Sequence, residues 1–448
     1  YLDFTIQLDS IQQEQLPPNF FITLISDKWL HCDYKVPVIF DDVQLPKRFP
    51  APTPLLDVTL TPVSELENPA FSSTFNFETF NKFQTQTFQA LYNTNENVLV
   101  GASKGAGKTV MAELAILNHW RQNKGRAAYI CPSAEKLEKL EKNWNKRFSQ
   151  LAGGKNINIL GLELTQNLRL LAESHLILAT PEQFDLISRR WKQRKNVQKI
   201  ELLILDDAHE ISNGTKGAAY ENIISRMIFI SAQLETDLRI VGLSTSLANG
   251  RDFGEWIGVK KNNIFNFSSQ EKIGPLKIHL QCFTNTHNPS LIQTMMKSSF
   301  KTILDSANES ETAIVFVPTR RHCVELSIQI MRLAALEKVD LLRVEQEDLE
   351  AYLEKVTDPN LKHALKHGIG FIHSGMIPGD RKIVEKLHEY KAIPFLLVTK
   401  ECCSTSPNAD TVVILSTQYY EGREHRYVDY PVHDILEMVG VATCENEN

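Results

Sequence analysis

The sequence predicts an α/β protein: two P-loop-type domains with parallel sheets, preceded by the end of a β-sandwich. From about residue 80 onward, buried apolar runs alternate with long helical stretches, the pattern of a parallel sheet covered on both faces. Within that region, Ala102-Ser103-Lys104-Gly105-Ala106-Gly107-Lys108-Thr109 lies between the apolar run Val98-Leu99-Val100 and a helix-like stretch over 110–117. Strand before and helix after are the context that marks a phosphate-binding loop. Near the N-terminus the pattern differs, because short apolar-rich runs at 4–8, 20–25 and 36–40 read as antiparallel strands.

Each element follows in order. Residues 4–8 place Phe4, Ile6 and Leu8 on one face, and Pro37 favours an edge position for the third run. Three strands make a poor domain alone, so 1–45 is expected to be the closing part of a sandwich. Pro46, Pro50, Pro52, Pro54, Pro62 and Pro69 mark 46–79 as an extended linker. Strand candidates at 98–101, 128–131, 176–180, 202–205 and 239–243, with a long helix over 217–234, define a first domain over 80–272. A second set at 313–317, 370–373, 395–399 and 411–415 defines another over 273–448. The run 135–147 interleaves Glu135, Glu138 and Glu141 with Lys136, Lys139, Lys142 and Lys146. It reads as a salt-laced helix face turned to water.

Composition bounds the function. A chain of 448 residues has room for about three domains. Net charge −6 and a pI near 6.2 give no whole-chain signature of nucleic-acid binding, so such binding must rest on a local patch. Arg189-Arg190-Trp191-Lys192-Gln193-Arg194-Lys195 is the candidate for a weak RNA contact, with an exposed helix end as the plainer reading. Seven scattered cysteines without a C-x-x-C pair predict reduced thiols of a cytosolic or nuclear protein. No apolar run reaches the ~18 residues a membrane span needs, so no membrane partner is expected. The start, Tyr1-Leu2-Asp3-Phe4, lacks an initiator methionine and a signal-peptide shape, which predicts a piece of a longer chain.

The loop's chemistry is specific. Gly105 and Gly107 let backbone N–H groups turn inward, Lys108 offers a point charge to β- and γ-phosphates, and the Thr109 hydroxyl can hold Mg²⁺. Ala102 stands where the general pattern has Gly. Downstream, Leu202-Leu203-Ile204-Leu205 ends in Asp206-Asp207-Ala208-His209. An acidic pair at the end of a buried strand sits beside the phosphate loop in P-loop folds, where the first carboxylate, here Asp206, reaches Mg²⁺. No N-K-x-D sequence is present, which argues against a GTPase.

Together these signals resemble the superfamily 2 DExH-box helicases, which have two RecA-like domains. Phe83-Gln84 precedes the loop where that family keeps an adenine-reading Gln. Pro132, Thr180-Pro181-Glu182 and Phe184-Asp185 are similar to its backbone-holding segments, Ser244-Thr245-Ser246 to its Ser-Ala-Thr motif, and 315–321 to the opening of its second domain. Closer still is the resemblance to the two-cassette DExH-box RNA helicases of the spliceosomal tri-snRNP. It is carried by Tyr419-Tyr420-Glu421-Gly422, by 426–431, and by Asn19-Phe20-Phe21-Ile22 with Ser26-Asp27-Lys28-Trp29-Leu30. That resemblance implies an immunoglobulin-like sandwich end followed by the two RecA-like domains of the degenerate C-terminal cassette. It also implies ATP or ADP with Mg²⁺ as cofactors, a nuclear location, and as partners the preceding active cassette and other tri-snRNP proteins. The nucleotide would be held by Gln84, Ala102, Lys104, Gly105, Ala106, Gly107, Lys108 and Thr109, and the metal by Thr109 and Asp206.

Departures from the family pattern decide the functional expectation. The family's motif II carries Asp-Glu, whose Glu acts on the attacking water, and here that catalytic position is Asp207, with His209 two residues on. One methylene fewer withdraws the carboxylate by about 1.5 Å, and a ~1 Å misplacement can cost about 10²-fold in rate. The last motif, Gln-x-x-Gly-Arg-x-Gly-Arg in active relatives, reads Glu437-Met438-Val439-Gly440-Val441-Ala442-Thr443-Cys444, with both arginines replaced. Loss of an arginine finger is worth about 10³–10⁵ in rate. Thr399 is followed by Lys400-Glu401-Cys402-Cys403 where a glycine-containing turn is expected, and Thr245 adds bulk to motif III. The expectation is a pseudo-helicase cassette that binds nucleotide without efficient turnover, with His209 pairing with Glu437 across the cleft. An active ATPase cassette and a nucleotide-free protein scaffold remain the alternatives.

Overall fold

The computed structural model describes residues 20–38, 51–148, 151, 155–161, 164–212, 214–271, 276–283, 288–306, 311–422 and 425–442. Phe20–Ile25 (β1) pairs antiparallel with Asp33–Val38 (β2), Phe21 opposite Pro37. Both strands of this two-stranded sheet are edges, which accommodates the proline. The run at 4–8 lies outside the described residues.

The Pro-rich segment is more than a connector. Thr53 bridges to Phe267 in parallel and its amide donates to the Asn266 carbonyl at 2.7 Å, so the segment lies along the edge of the first large sheet. Short helical turns at Val63–Leu66 and Pro69–Ser72 then bury Val63, Leu66 and Phe71, with Phe75 beyond, in that domain's core. Prolines interrupt regular structure there, but the apolar residues between them still drive burial.

Seven parallel strands form the first domain's sheet: Val98–Gly101 (β3), Arg126–Ile130 (β4), Ile157–Ile159 (β5), Leu176–Ala179 (β6), Ile200–Leu205 (β7), Arg239–Ser244 (β8) and Ile264–Asn266 (β9). Their spatial order is β5-β6-β4-β7-β8-β3-β9. Successive side chains serve opposite faces: Val98, Tyr129, Ile204 and Leu243 enter one core, Leu99, Ile130, Leu205 and Ile240 the other. The short edge strands β5 and β9 escape a search for long apolar runs.

The second domain has four parallel strands, Ala313–Val317 (β10), Ile369–Ile372 (β11), Phe395–Thr399 (β12) and Thr411–Ile414 (β13), ordered β11-β12-β10-β13. A hairpin follows, Gln418–Glu421 (β14) with Arg426–Asp429 (β15), and the helix Val432–Val439. No described helix is long and apolar enough to cross a membrane.

Candidate nucleotide site

Sheet order assembles the site. Because β7, β8 and β3 are neighbours, the motif II acids, Ser244-Thr245-Ser246 and the phosphate loop emerge side by side at the strands' carboxyl ends. That is where open α/β sheets bind ligands.

The loop is built to approach an anion closely. Gly105 and Gly107 have φ of 90° and 81°, which side chains with a Cβ rarely adopt. A Cβ on Gly107 would also stand 2.1 Å from Gln84 Nε2. Gly107 N-caps the helix Lys108–Arg121 without any side-chain cap, which leaves the Lys108 and Thr109 amides available to another acceptor, while the Val110 amide donates to the Gly107 carbonyl at 3.0 Å. Ala102 is buried and its amide donates to the Ser244 carbonyl at 3.0 Å, tying the loop to motif III. Gln84 forms a capping box with Asn81 and donates from Nε2 to the Gly107 carbonyl at 3.4 Å, while Asn81 Nδ2 donates to the Ala106 carbonyl at 3.2 Å. Asn81, three residues before Gln84, carries a capping signature that the sequence could have revealed. Lys108 Nζ donates to the carbonyls of Ala102 and Ser103 at 2.7 and 3.0 Å, and burial lowers its pKa to about 8. Thr109 follows in the first helical turn, half-buried. These features fit a bound phosphate chain.

Motif II departs from expectation. Lys136, on the helix Ala134–Phe148 that follows β4, places Nζ 2.6 Å from Asp206 Oδ2 and 2.9 Å from Asp207 Oδ2. Tyr129 Oη donates to Asp206 Oδ2 at 2.5 Å, and the Asp207 amide to Asp206 Oδ1 at 3.1 Å. The carboxylate expected to reach Mg²⁺ is therefore engaged at both oxygens. Burial would raise the Asp207 pKa, but Lys136, then His209 and Lys108, hold it down to about 2. Lys136 stays charged, since the two carboxylates outweigh its burial. The helix face expected to be solvated thus reaches into the site. A sequence shows the charge alternation but not which turn sits over β7.

The domains meet over this site. His209 Nε2 lies 3.4 Å from Glu437 Oε1, and the Thr245 amide lies 3.5 Å from His209 Nδ1. The expected His209–Glu437 pair is present. Lys104 extends across the cleft to the Cys403 carbonyl at 2.7 Å, inside the helical turn Lys400–Thr405, where the sequence pattern leads us to expect a glycine-containing turn. Gly440 approaches Lys104 so closely that a Cβ there would stand 2.3 Å from Lys104 Cβ. Val441 is wholly buried in the second domain's core, while Cys444 lies outside the described residues. In the basic run, Arg189 pairs with Asp185 at 2.5 Å and Arg194 donates to the Leu186 carbonyl at 3.1 Å.

Residues 81–253 match the DEAD/DEAH box helicase family. The chain carries a DEAD/DEAH box helicase domain. Around that domain, the chain is 41% identical over 98% of its length to the pre-mRNA-splicing factor brr2 of Schizosaccharomyces pombe. It is 40% identical over 96% to the U5 small nuclear ribonucleoprotein 200 kDa helicase of Homo sapiens, and 37% over 97% to that of Drosophila melanogaster. The chain spans only 20% of each of these relatives. The DUF1998 helicase MrfA bound to DNA shares the fold, with TM-score 0.62 at 13% identity, over 86% of this chain and 50% of that one. The seven-stranded and four-stranded parallel sheets are thus consistent with RecA-like helicase domains.

Proposed function

We propose that these residues form the nucleotide-binding, hydrolytically impaired cassette of a nuclear spliceosomal ATP-dependent RNA helicase. Its parent would unwind paired small nuclear RNAs, with the preceding cassette as motor. Gln84, Ala102, Lys104, Gly105, Ala106, Gly107, Lys108 and Thr109 would hold ATP or ADP. The observation that carries the reading is Asp207. Its carboxylate is shorter than the family's Glu, held by Lys136 at 2.9 Å, and has a pKa near 2, which makes it a weak base toward water at neutral pH. Binding groups survive where transition-state groups do not, and the two functions use different residues. Nucleotide would then act as a structural ligand that favours closure of the two domains, worth about 2.7 kcal/mol at ~100 times Kd. The closed cassette would offer a regulatory surface to the active cassette and to other splicing proteins.

The test is paired. ATP should raise the melting temperature of this chain, and Lys108→Ala should abolish that rise. Phosphate release with RNA should stay at the Lys108→Ala background. Substantial Lys108-dependent turnover would overturn the impaired-cassette reading, and no thermal response to nucleotide would overturn binding.

A further inference from the structure

Cys131 Sγ and the carboxylate oxygens of Asp206 and Asp207 lie within 4.8 Å of one another, the spacing of a cation cradle. Lys136 Nζ sits on both carboxylates, at 2.6 and 2.9 Å. We infer that Lys136 is an internal cation that takes the place of Mg²⁺ at motif II, so that nucleotide binding at the phosphate loop does not depend on a divalent metal. The inference rests on the nucleotide-binding reading above and specifies its cofactor requirement.

Two arguments support it. Mg²⁺ demands oxygen ligands at ~2.0–2.1 Å in near-octahedral geometry and reaches a P-loop nucleotide through a carboxylate plus the phosphates. Asp206 has no oxygen free of donors: Tyr129 and Lys136 converge on Oδ2, and the Asp207 amide on Oδ1. Charge gives the same answer. Lys136 forms ion pairs with both Asp206 and Asp207, so a positive charge already stands where a metal would bring one. Tyr129 and Lys136 belong to β4 and the helix after it, and the Trp144 ring, on that helix, packs edge-on against Tyr129 at 5.2 Å. The ammonium is thus placed by packed structure and not by a mobile surface chain.

Fluorescent ADP and ATP analogues titrated with excess Mg²⁺ and with EDTA test it. The unmodified chain should bind with affinities that differ by less than about threefold between the buffers. Lys136→Met, checked for an intact melting transition, should bind at least about tenfold more weakly in EDTA than in Mg²⁺. A tenfold or larger loss in EDTA for the unmodified chain overturns the inference without need of the variant. Equal metal independence of unmodified chain and Lys136→Met also overturns Lys136 as its source. Absence of binding in both buffers overturns the nucleotide reading itself.

Discussion

At the scale of single residues, three side chains change what the motifs mean. Lys136 turns motif II from a metal ligand and a base into an ion-paired cluster, so Asp207→Glu alone leaves the longer carboxylate within reach of the same ammonium. Val441, where the family pattern leads us to expect an arginine, has no solvent exposure. Restoring arginine there buries an uncompensated charge. Val441→Arg should destabilise the chain by about 3–5 kcal/mol in urea denaturation and give no gain in phosphate release. His209 has a raised pKa: burial opposes its charge, but Glu437, Asp207 and Glu210 outweigh burial, with the His433 ring 5.3 Å away. A folded-state pKa above the unfolded value of about 6.5 gives stabilisation that is complete below that value and is lost as pH rises through the folded pKa. The melting-temperature advantage of the unmodified chain over Glu437→Gln should therefore shrink as pH rises above about 6.5.

At the scale of elements, the helix Ala134–Phe148 does the work that its charge pattern conceals. Its apolar side buries Leu137, Trp144 and Phe148, while Arg147 grips the buried Glu113 with two nitrogens at 2.7 and 2.8 Å and Trp144 Nε1 donates to the same carboxylate at 2.7 Å. Glu113→Ala leaves Arg147 half-buried and Trp144 unpaired and should cost about 3–5 kcal/mol in equilibrium unfolding, with a smaller loss for Glu113→Gln. The same helix faces the second domain: Glu135 Oε2 lies 2.5 Å from Arg381 and accepts from Thr405 Oγ1 at 3.0 Å, and Lys139 donates to the Thr405 carbonyl at 3.1 Å. The turn Lys400–Thr405 therefore both accepts from and donates to side chains of the first domain.

At the scale of the whole molecule, these contacts form a latch around the phosphate loop. Lys104 to Cys403, His209 to Glu437 and Glu135 to Arg381 all join the domains across the cleft. A motor must open and close with each turnover, whereas a bound structural nucleotide is served by a cleft held shut. Glu135→Ala should broaden the distance distribution between fluorophores on the two domains, and nucleotide should narrow it again. An unchanged distribution would assign closure to the remaining cross-domain contacts, Lys104 to Cys403 and His209 to Glu437.

Much of this was legible in the sequence for a clear physical reason. Buried parallel strands must be continuous apolar runs, so β3, β10 and β12 are found at their observed bounds. Phosphate approach requires glycine, so the loop is recognised from Gly105 and Gly107. Long-range placement is a different matter. Asp206 and Lys136 look like an acidic motif and a surface lysine, and only the adjacency of β4 and β7 brings them to 2.6 Å. Val441 looks like a missing arginine, and only the packing of the second core shows that its place is apolar. The chain's own order of residues therefore determined the fold class and the phosphate-loop pattern, because these depend on local chemistry and period. Tertiary structure alone decided the cation at motif II and the latch across the cleft, because each is made by side chains that sequence holds far apart and the sheet order brings together.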